Sequence, residues 1–333
     1  MKICVYGAGA IGGSLAARLS RAGAHISVVA RGAHGRAMRE SGVVTLITAD
    51  GRFSAPVRAV EDPSELPQQD VVIVAVKNPA LPEIALPLSK LLRPESRFAF
   101  AMNGIPWWFG DGLDVALPDT LLDSLDPGAR LRRVLDAGQV LGGVIYSSNE
   151  VVEPGVICNT SPRNRYIIGR PDGTPDAVAH ALVELLRTAG YEAKESPSIR
   201  DELWIKMLMV AGTQSVSALT GCSLEPLVND REARALMAAI MEETAATGRR
   251  LGLEIPDDID ERLAYYEDKP VRPSMLQDFE LGRPPELESS ILAFVAIASA
   301  VSIPTPTMSA VATLVRMKRH CTQGGLPKGR PTA

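Results

Sequence analysis

The chain has 333 residues, which is too long for one typical hydrophobic core, so we expect two domains. Hydrophobic residues make up 46% and charged residues 22%, a composition that fits a globular protein and excludes a disordered one. The net charge of −4 provides no basic stripe, so nucleic acid is not expected as a partner. Four scattered cysteines and four histidines predict neither a disulfide framework nor a metal site.

The apolar segments predict a cytoplasmic protein with no membrane partner. The longest apolar stretch, 291–301, is too short to cross a bilayer. Lysine and apolar residues at the N-terminus resemble a signal peptide, but three glycines interrupt the apolar region that such a peptide needs.

A glycine-rich turn near the start of the chain is the most informative local feature. The apolar run 3–6 predicts a buried strand, and residues 11–20 predict the helix that follows it. The turn between them fits G-x-G-x-x-G, the fingerprint of a dinucleotide site in this context. Its residues are Gly7, Ala8, Gly9, Ala10, Ile11 and Gly12. The glycines permit the turn, the approach of a pyrophosphate and close helix packing, while the helix N-terminus attracts phosphate. The alternative is a glycine-rich turn that binds no ligand.

Arg31 indicates which dinucleotide is bound. It follows the second predicted strand, 25–30, at the position where an NAD site usually carries Asp or Glu for the ribose 2′-hydroxyl. A guanidinium can bind a 2′-phosphate through two charge-assisted hydrogen bonds, whereas a carboxylate would repel it. We therefore predict NADP(H) as the cofactor; the alternative is that Arg31 is an ordinary solvated charge.

Strands and helices alternate through the first half of the chain, which predicts a parallel sheet covered by helices. Residues 70–76 form an almost continuous apolar run, as in a strand buried on both faces, and 98–102 form another strand. Lys77 and Asn103 follow these two strands, at the carboxyl ends where open α/β sheets bind ligands.

A hairpin-like insertion is predicted after the first βαβ unit, from strands over 43–47 and 54–60 around Asp50-Gly51. The segment 111–133 is rich in loop residues and receives no assignment. Further elements of this domain are expected over 139–147, 165–168, 175–190 and 191–194.

Beyond residue 198 the alternation stops and helical periods take over. Helices are expected over 199–219, 229–251, 257–267, 274–281, 286–301 and 305–320. The predicted fold class is an α/β N-terminal Rossmann-type domain with a mainly parallel sheet, over 1–197, followed by an all-helical C-terminal domain, over 198–323. The tail 324–333, rich in Gly, Pro and Lys, is expected to be disordered.

The first predicted helix of the second domain contains a candidate proton donor. Lys206 lies among apolar residues, with Val210 and Gln214 one and two turns further along the same side. Desolvation would lower the pKa of such a lysine and let it protonate a carbonyl oxygen as hydride reaches the carbon. The alternative is a lysine whose stem covers an apolar face while its charge stays in water.

Two further polar positions have structural explanations when taken alone. Ser274 is placed to cap a helix, with Asp278 and Glu280 as solvated charges on that helix. Glu286 is expected to open the helix 286–301, where a carboxylate is favourable without any function.

Taken together, these clusters resemble the ketopantoate reductases, the NADPH-dependent 2-dehydropantoate 2-reductases of pantothenate synthesis, over nearly the whole chain. The resemblance rests on the order and spacing of six features, of which ELWIK and SMLQD are specific to the family. They are GAGAIG with Arg31, Lys77, MNG at 102–104, ELWIK at 202–206, SMLQD at 274–278 and Glu286.

The resemblance implies a role for each of these residues. Lys206 would be the general acid that protonates the ketone oxygen, and Asn103 would orient the nicotinamide ribose and the substrate. Ser274 would bind the substrate carboxylate, and Glu286 would hydrogen-bond the ligands near the nicotinamide ribose. Lys77 would join Arg31 around the phosphate end of the cofactor.

The sequence departs from the family on the substrate side. Val210 and Gln214 stand where the family usually carries asparagines that contact the substrate hydroxyl. Ile291-Leu292 replaces the usual Asn-Gly pair. Trp107 and Trp108 follow Asn103-Gly104; they would make a larger, more apolar pocket wall or would pack their loop on the core.

The predicted function is NADPH-dependent reduction of a small-molecule 2-keto acid, with 2-dehydropantoate favoured. One alternative is a related NADP-dependent 2-keto acid or opine-type dehydrogenase with another substrate. The other is a non-catalytic NADP-binding regulatory protein. The apolar helix within 287–301 is expected to be buried in its own domain or at the interface of a homodimer.

Overall fold

The computed structural model describes residues 1–323, so the tail expected to be disordered lies outside the described residues. The chain forms two compact units. Unit 1 consists of Met1–Asn103, Trp107–Asp111 and Asp126–Leu203. Unit 2 consists of Gly104–Pro106, Gly112–Leu125 and the chain from Trp204 onward.

Unit 1 contains two sheets. Its strands are β1 (Lys2–Tyr6), β2 (His25–Val29), β3 (Val43–Thr48), β4 (Gly51–Pro56), β5 (Arg58–Val60), β6 (Val71–Val74), β7 (Arg97–Phe100), β8 (Val140–Tyr146), β9 (Asn149–Glu153), β10 (Val156–Asn159), β11 (Arg165–Gly169) and β12 (Glu192–Glu195). The larger sheet has the order β12-β11-β8-β7-β6-β1-β2-β5 and the smaller one the order β4-β3-β10-β9. In the larger sheet only the β8–β11 pair is antiparallel, so the predicted mainly parallel Rossmann-type sheet is confirmed.

The helices cover unit 1 and build unit 2. They are α1 (Ala10–Arg21), α2 (Gly32–Ser41), α3 (Leu81–Lys90), α4 (Asp119–Leu125), α5 (Ala177–Thr188), α6 (Ile199–Thr220), α7 (Leu224–Asn229), α8 (Arg231–Arg250), α9 (Ile259–Ala264), α10 (Ser274–Glu280), α11 (Ile291–Ala300) and α12 (Pro306–Gln323). Within the described part of unit 2 the regular elements are all helical, which confirms the predicted helical C-terminal half.

Helix α1 lies between the two sheets of unit 1 and contacts strands of both. A Cβ on Gly12 would overlap the Gly7 carbonyl oxygen and would lie 3.0 Å from Val5 Cγ1 of β1. On the neighbouring residue, a Cβ on Gly13 would lie 2.6 Å from Ile157 Cδ1 of β10. Two successive glycines therefore allow the helix to approach one sheet on each side.

The predicted hairpin is partly wrong. The Asp50-Gly51 turn does join the antiparallel strands β3 and β4, as expected. However, Arg58–Val60 does not continue the hairpin: it forms β5, which pairs in parallel with β2 at the edge of the larger sheet. The Val57 N–H still bonds to the Gly42 carbonyl and extends the β3–β4 pairing by one residue, so the chain leaves the hairpin after Val57.

Trp204 anchors the core of unit 2. Its indole N–H donates to the Thr244 carbonyl of α8 at 2.9 Å, and its ring meets Phe294 of α11 edge-on at 5.1 Å between centroids. Gly248 gives the indole room on α8, since a Cβ there would lie 2.6 Å from Trp204 Cδ1. Phe294, Ile291 and Ile297 of α11 are thus buried within this chain, whereas Leu292 and Val295 of the same helix are partly exposed.

The prediction that Glu286 opens a helix is wrong. Helix α11 begins at Ile291, and Glu286 lies in an irregular segment that follows Pro284 and Pro285. Two successive prolines restrict the backbone before each ring to extended conformations, which delays the helix start. A helix-terminal dipole therefore does not account for this carboxylate.

None of the helices in the described part of the chain is long and apolar enough to span a membrane.

Two glycines of the glycine-rich turn offer a matched pair of substitutions. We expect Gly12→Ala to lower the free energy of unfolding by about 1–3 kcal/mol, because its Cβ overpacks the β1–α1 contact. Gly9→Ala should change it by less than about 0.5 kcal/mol, because φ is −72° and a Cβ would meet no described atom within 4 Å. Urea denaturation of both variants measures the difference, and equal destabilisation would contradict the account of α1 packing.

Candidate active site

Four strands of unit 1 end at the same edge of the larger sheet. β7, β6, β1 and β2 are parallel neighbours, so their carboxyl ends lie side by side. The predicted residues Gly7, Arg31, Lys77 and Asn103 follow these strands within three residues of their ends. The chain order reverses between β1 and β6, and such a switch point is where open α/β sheets bind nucleotides.

The glycine-rich turn has the conformation that the motif requires. Gly7 has φ +94°, and a Cβ there would lie 2.6 Å from Val76 Cγ1. The N–H groups of Gly7 and Ala8 both point back to the Val29 carbonyl, at 3.0 and 3.3 Å. The turn is thereby fixed between β1 and β2.

The turn presents an exposed helix N-terminus. Gly9 caps α1 and is exposed, and the first turn, from Ala10 through Ile11, carries no acidic residue. A Cβ on Gly9 would enter space that no described atom occupies within 4 Å. The unpaired N–H groups and the helix dipole can therefore receive a pyrophosphate, and the geometry fits a dinucleotide.

Arg31 lies beside the end of β1. It caps helix α2 and is exposed. Burial raises the pKa of the Tyr6 hydroxyl on β1, and the positive charge of Arg31 acts in the opposite direction, so the guanidinium is close to this strand end. Lys77 is also exposed and caps the short 3-10 helix Asn78–Ala80 after β6.

Asn103 is half-buried, and its backbone is held by a residue that the sequence analysis missed. The Asn78 side-chain amide donates to the Asn103 carbonyl at 2.7 Å, which ties the segment after β7 to the segment after β6. The Asn78-Pro79 pair signals a turn, but nothing in the sequence shows that its amide reaches Asn103.

The two tryptophans after Asn103 pack on the core of unit 1. Trp107 and Trp108 are only 2% and 1% exposed. A Cβ on Gly142 of β8 would lie 2.8 Å from Trp108 Cη2, so this glycine accommodates the indole. Arg132 and Arg200 lie over the rings of Trp107 and Trp108, and their side chains donate to the backbone carbonyls of Trp107 and Phe109. The structure thus favours core packing over a pocket wall.

Lys206 has an altered ionisation. It lies on α6 in unit 2 and is half-buried. Desolvation of its ammonium lowers the pKa of Lys206 from 10.5 to about 7. Near neutral pH the side chain can therefore hold a proton or give it up.

Ser274 and Gln214 form a hydrogen-bonded pair within unit 2. Ser274 Oγ lies 3.3 Å from Gln214 Oε1, which joins the start of α10 to α6 two turns beyond Lys206. The expectation that Ser274 caps its helix is wrong: Pro273 is the capping residue, and Ser274 opens the first turn. Asp278 is not a solvated charge either, since it is only 7% exposed. Val210, between Lys206 and Gln214 along α6, is buried and apolar.

Glu286 is half-buried, and its backbone is held in place by the start of α11. The Ser290 hydroxyl donates to the Glu286 carbonyl. In addition, Ser290 precedes Ile291, the first residue of that helix. The carboxylate therefore belongs to a segment whose backbone is fixed although it is not helical.

Unit 1 thus carries a glycine-rich turn at the sheet edge, and unit 2 carries a lysine of lowered pKa on the helix whose Gln214 pairs with Ser274. The described residues contain no group of three His, Cys, Asp or Glu side chains that could hold a metal ion.

Two protein-family models match the chain. The one described as "Ketopantoate reductase PanE/ApbA" matches residues 3–173, and its "C terminal" counterpart matches residues 198–319.

Individual relatives match over almost their full length. A 2-dehydropantoate 2-reductase from Mesorhizobium japonicum is 38% identical over 331 residues, covering 96% of this chain and 99% of the relative. The crystal structure of a Ralstonia solanacearum protein assigned to the ketopantoate reductases is 35% identical, with a TM-score of 0.87, covering 97% of this chain and 98% of that one. The structure of D-mandelate dehydrogenase with NADH and anilino(oxo)acetate has a TM-score of 0.82 at 17% identity, covering 97% and 99%. This last likeness concerns the fold alone.

Proposed function

The chain belongs to the ketopantoate reductase family, and we propose that it reduces 2-dehydropantoate to pantoate with NADPH, a step of pantothenate synthesis. Members of this family are pyridine-nucleotide-dependent reductases that act on keto groups. The observation that carries the proposal is Lys206, whose desolvated ammonium has a pKa of about 7 on the helix that also carries Gln214.

The preference for NADPH rests on Arg31. The fold does not decide between the two nicotinamide dinucleotides, because D-mandelate dehydrogenase binds NADH on a similar fold. At the end of β2 this chain presents an exposed guanidinium, with Gly32 and Ala33 after it, and no carboxylate to accept a ribose 2′-hydroxyl. In the proposed complex Arg31 and Lys77 hold the 2′-phosphate, and the turn from Gly7 to Gly12 holds the pyrophosphate.

Lys206 supplies the proton. The nicotinamide provides the hydride that reduces the ketone carbon, so the chain must neutralise the negative charge that develops on the ketone oxygen. A charged ammonium of lowered pKa donates its proton readily to that oxygen and becomes a neutral amine. With a pKa of about 7, the amine can take up a proton from water again near neutral pH. An ordinary lysine, with a pKa near 10.5, would be a much weaker acid.

The other candidates bind and orient in this proposal. Ser274 receives the substrate carboxylate through its hydroxyl, and Gln214, its hydrogen-bond partner, offers its amide to the substrate beside it. Asn103 orients the nicotinamide ribose and the substrate, and Glu286 hydrogen-bonds the ligands near that ribose. The resemblance to the family supports these last two roles, and the fixed backbones of both residues are consistent with them.

Val210 favours a second candidate substrate within the same reaction class. A buried valine offers no hydrogen bond to a substrate hydroxyl one turn beyond the proton donor. A 2-keto acid without that hydroxyl would leave no polar group unpaired there. Measuring kcat/KM for 2-dehydropantoate against 2-keto acids of similar size that lack the hydroxyl discriminates the two.

We expect Lys206→Ala to lower kcat by about 10²–10⁴-fold, because the variant lacks the proton donor for the developing alkoxide. The measurement is steady-state NADPH oxidation with 2-dehydropantoate as the only acceptor. Lys90→Ala, an exposed lysine of α3, is the matched control and should retain full activity. Full activity of Lys206→Ala would contradict the proposed role. Turnover by the wild-type protein excludes a non-catalytic NADP-binding role.

We expect Arg31→Ala to raise the KM for NADPH by about 10–100-fold, the value of lost charge-assisted hydrogen bonds to a phosphate. The KM for NADH should stay unchanged, because NADH has no 2′-phosphate. Arg36→Ala, an exposed arginine of the same helix, is the control. Parallel KM measurements with both cofactors test this, and an unaltered preference would overturn the NADP assignment.

A further inference from the structure

Lys318 of helix α12 connects three helices of unit 2. Its ammonium donates to the Ala218 carbonyl and lies 3.5 Å from the Leu219 carbonyl, at the C-terminal end of α6. The same ammonium lies 5.2 Å from the ring centroid of Phe279 on α10. One cation therefore contacts both helices that carry the Gln214–Ser274 pair.

The contacts on α6 satisfy an ordinary need of a helix end. The last four carbonyls of a helix have no partner within it, and the helix dipole places negative partial charge there. Ala218, whose carbonyl accepts from Lys318, lies one helical turn beyond Gln214, the partner of Ser274. A lysine here stabilises the turn that follows the substrate-side amide.

The contact on α10 matters because this helix is short. It has seven residues, and a helix of that length is unstable in isolation. Met275 and Leu276 bury one side of it, while Ser274 is exposed and its bond to Gln214 is long, at 3.3 Å. A single long hydrogen bond at an exposed site is worth about 1 kcal/mol or less. The position of α10 therefore depends on further contacts, of which the cation–π contact of Lys318 is one.

The next residue of α12, Arg319, contacts the segment that carries Glu286. Arg319 donates to the Glu288 carboxylate at 2.6 Å, two residues after Glu286. Successive helical residues point about 100° apart, so two adjacent cations can reach two different neighbours. The same turn of α12 thus contacts α6, α10 and the segment that carries Glu286.

We propose that Lys318 is a positioning residue, which ties the end of α6 to α10 and so holds Ser274 within hydrogen-bond distance of Gln214. The inference rests on the proposed function, in which Ser274 receives the substrate carboxylate and Gln214 contacts the substrate beside it. Lys318 itself does not contact the reacting atoms in this account: it acts through the geometry of the pair.

The kinetic test compares Lys318→Met with Lys318→Arg. Methionine keeps the aliphatic stem but removes the charge and the donors, so the KM for the keto acid should rise about fivefold to tenfold. The KM for NADPH should stay unchanged, and kcat should fall by less than about twofold. Arginine, which restores the cation over Phe279, should recover most of the affinity. Arg316→Met, an exposed arginine of the same helix, should leave every parameter unchanged.

Hydrogen exchange gives a readout that needs no substrate. In Lys318→Met the amides of 275–281 should exchange at least about tenfold faster, whereas those of α8 should not change. Unaltered exchange over 275–281, or equal increases in the KM for both substrates, would overturn the proposal. If the wild-type protein does not reduce 2-dehydropantoate, the proposed function fails, and the exchange comparison still decides the role of Lys318.

Discussion

The packing of helix α1 between two sheets is the constraint that fixes the glycine-rich turn at the edge of the larger sheet. The helix can approach β1 only because Gly12 has no side chain, and it can approach β10 only because Gly13 has none. The same approach places the N-terminus of α1 directly after β1, and a helix N-terminus is a site that can receive a phosphate. One short run of residues therefore has two effects: Gly12 allows the helix to pack, and Gly9 leaves open space at the helix N-terminus.

Lys206 of unit 2 destabilises the folded state at neutral pH. Because the pKa of Lys206 is lowered on folding from 10.5 to about 7, the unfolded chain binds more protons between these values. Stability contributed by this group therefore rises with pH from about 7 to 10.5, and its desolvation opposes folding at and below neutral pH. A neutral side chain of similar size would avoid that cost. A destabilising, desolvated lysine is typical of a functional site, which is consistent with the proposed proton donor.

The sequence predicted the fold class and the position of the glycine-rich turn at the sheet edge, because both depend on local patterns. A strand, three spaced glycines and a helix define the turn at Gly7–Gly12, and buried apolar runs define β6 and β7. Pairings between distant segments were not accessible: nothing local shows that Arg58–Val60 leaves the hairpin to join β2. Helix α2 received no assignment because only Gly35 and Met38 are buried on it, which leaves no apolar stripe to read.

On the substrate side, the limits of the sequence are limits of side-chain geometry. Spacing alone left Lys206 with two explanations, and the lowered pKa favours the proton donor. The sequence could not show that Ser274 bonds to Gln214 instead of capping its helix. Nor could it show that Gly142 makes room for Trp108. The contact of Lys318 with α6 joins residues 100 positions apart in the chain, and no sequence motif marks it.

The pH dependence of 2-dehydropantoate reduction at saturating NADPH tests the central claim most directly. If the desolvated ammonium of Lys206 is the general acid, kcat/KM should be constant at acidic pH and should fall about tenfold per pH unit above about 7. The Lys206→Arg variant should lose that inflection, because a guanidinium does not titrate in this range. An absence of turnover, or a wild-type profile that stays flat well above neutral pH, would contradict the account.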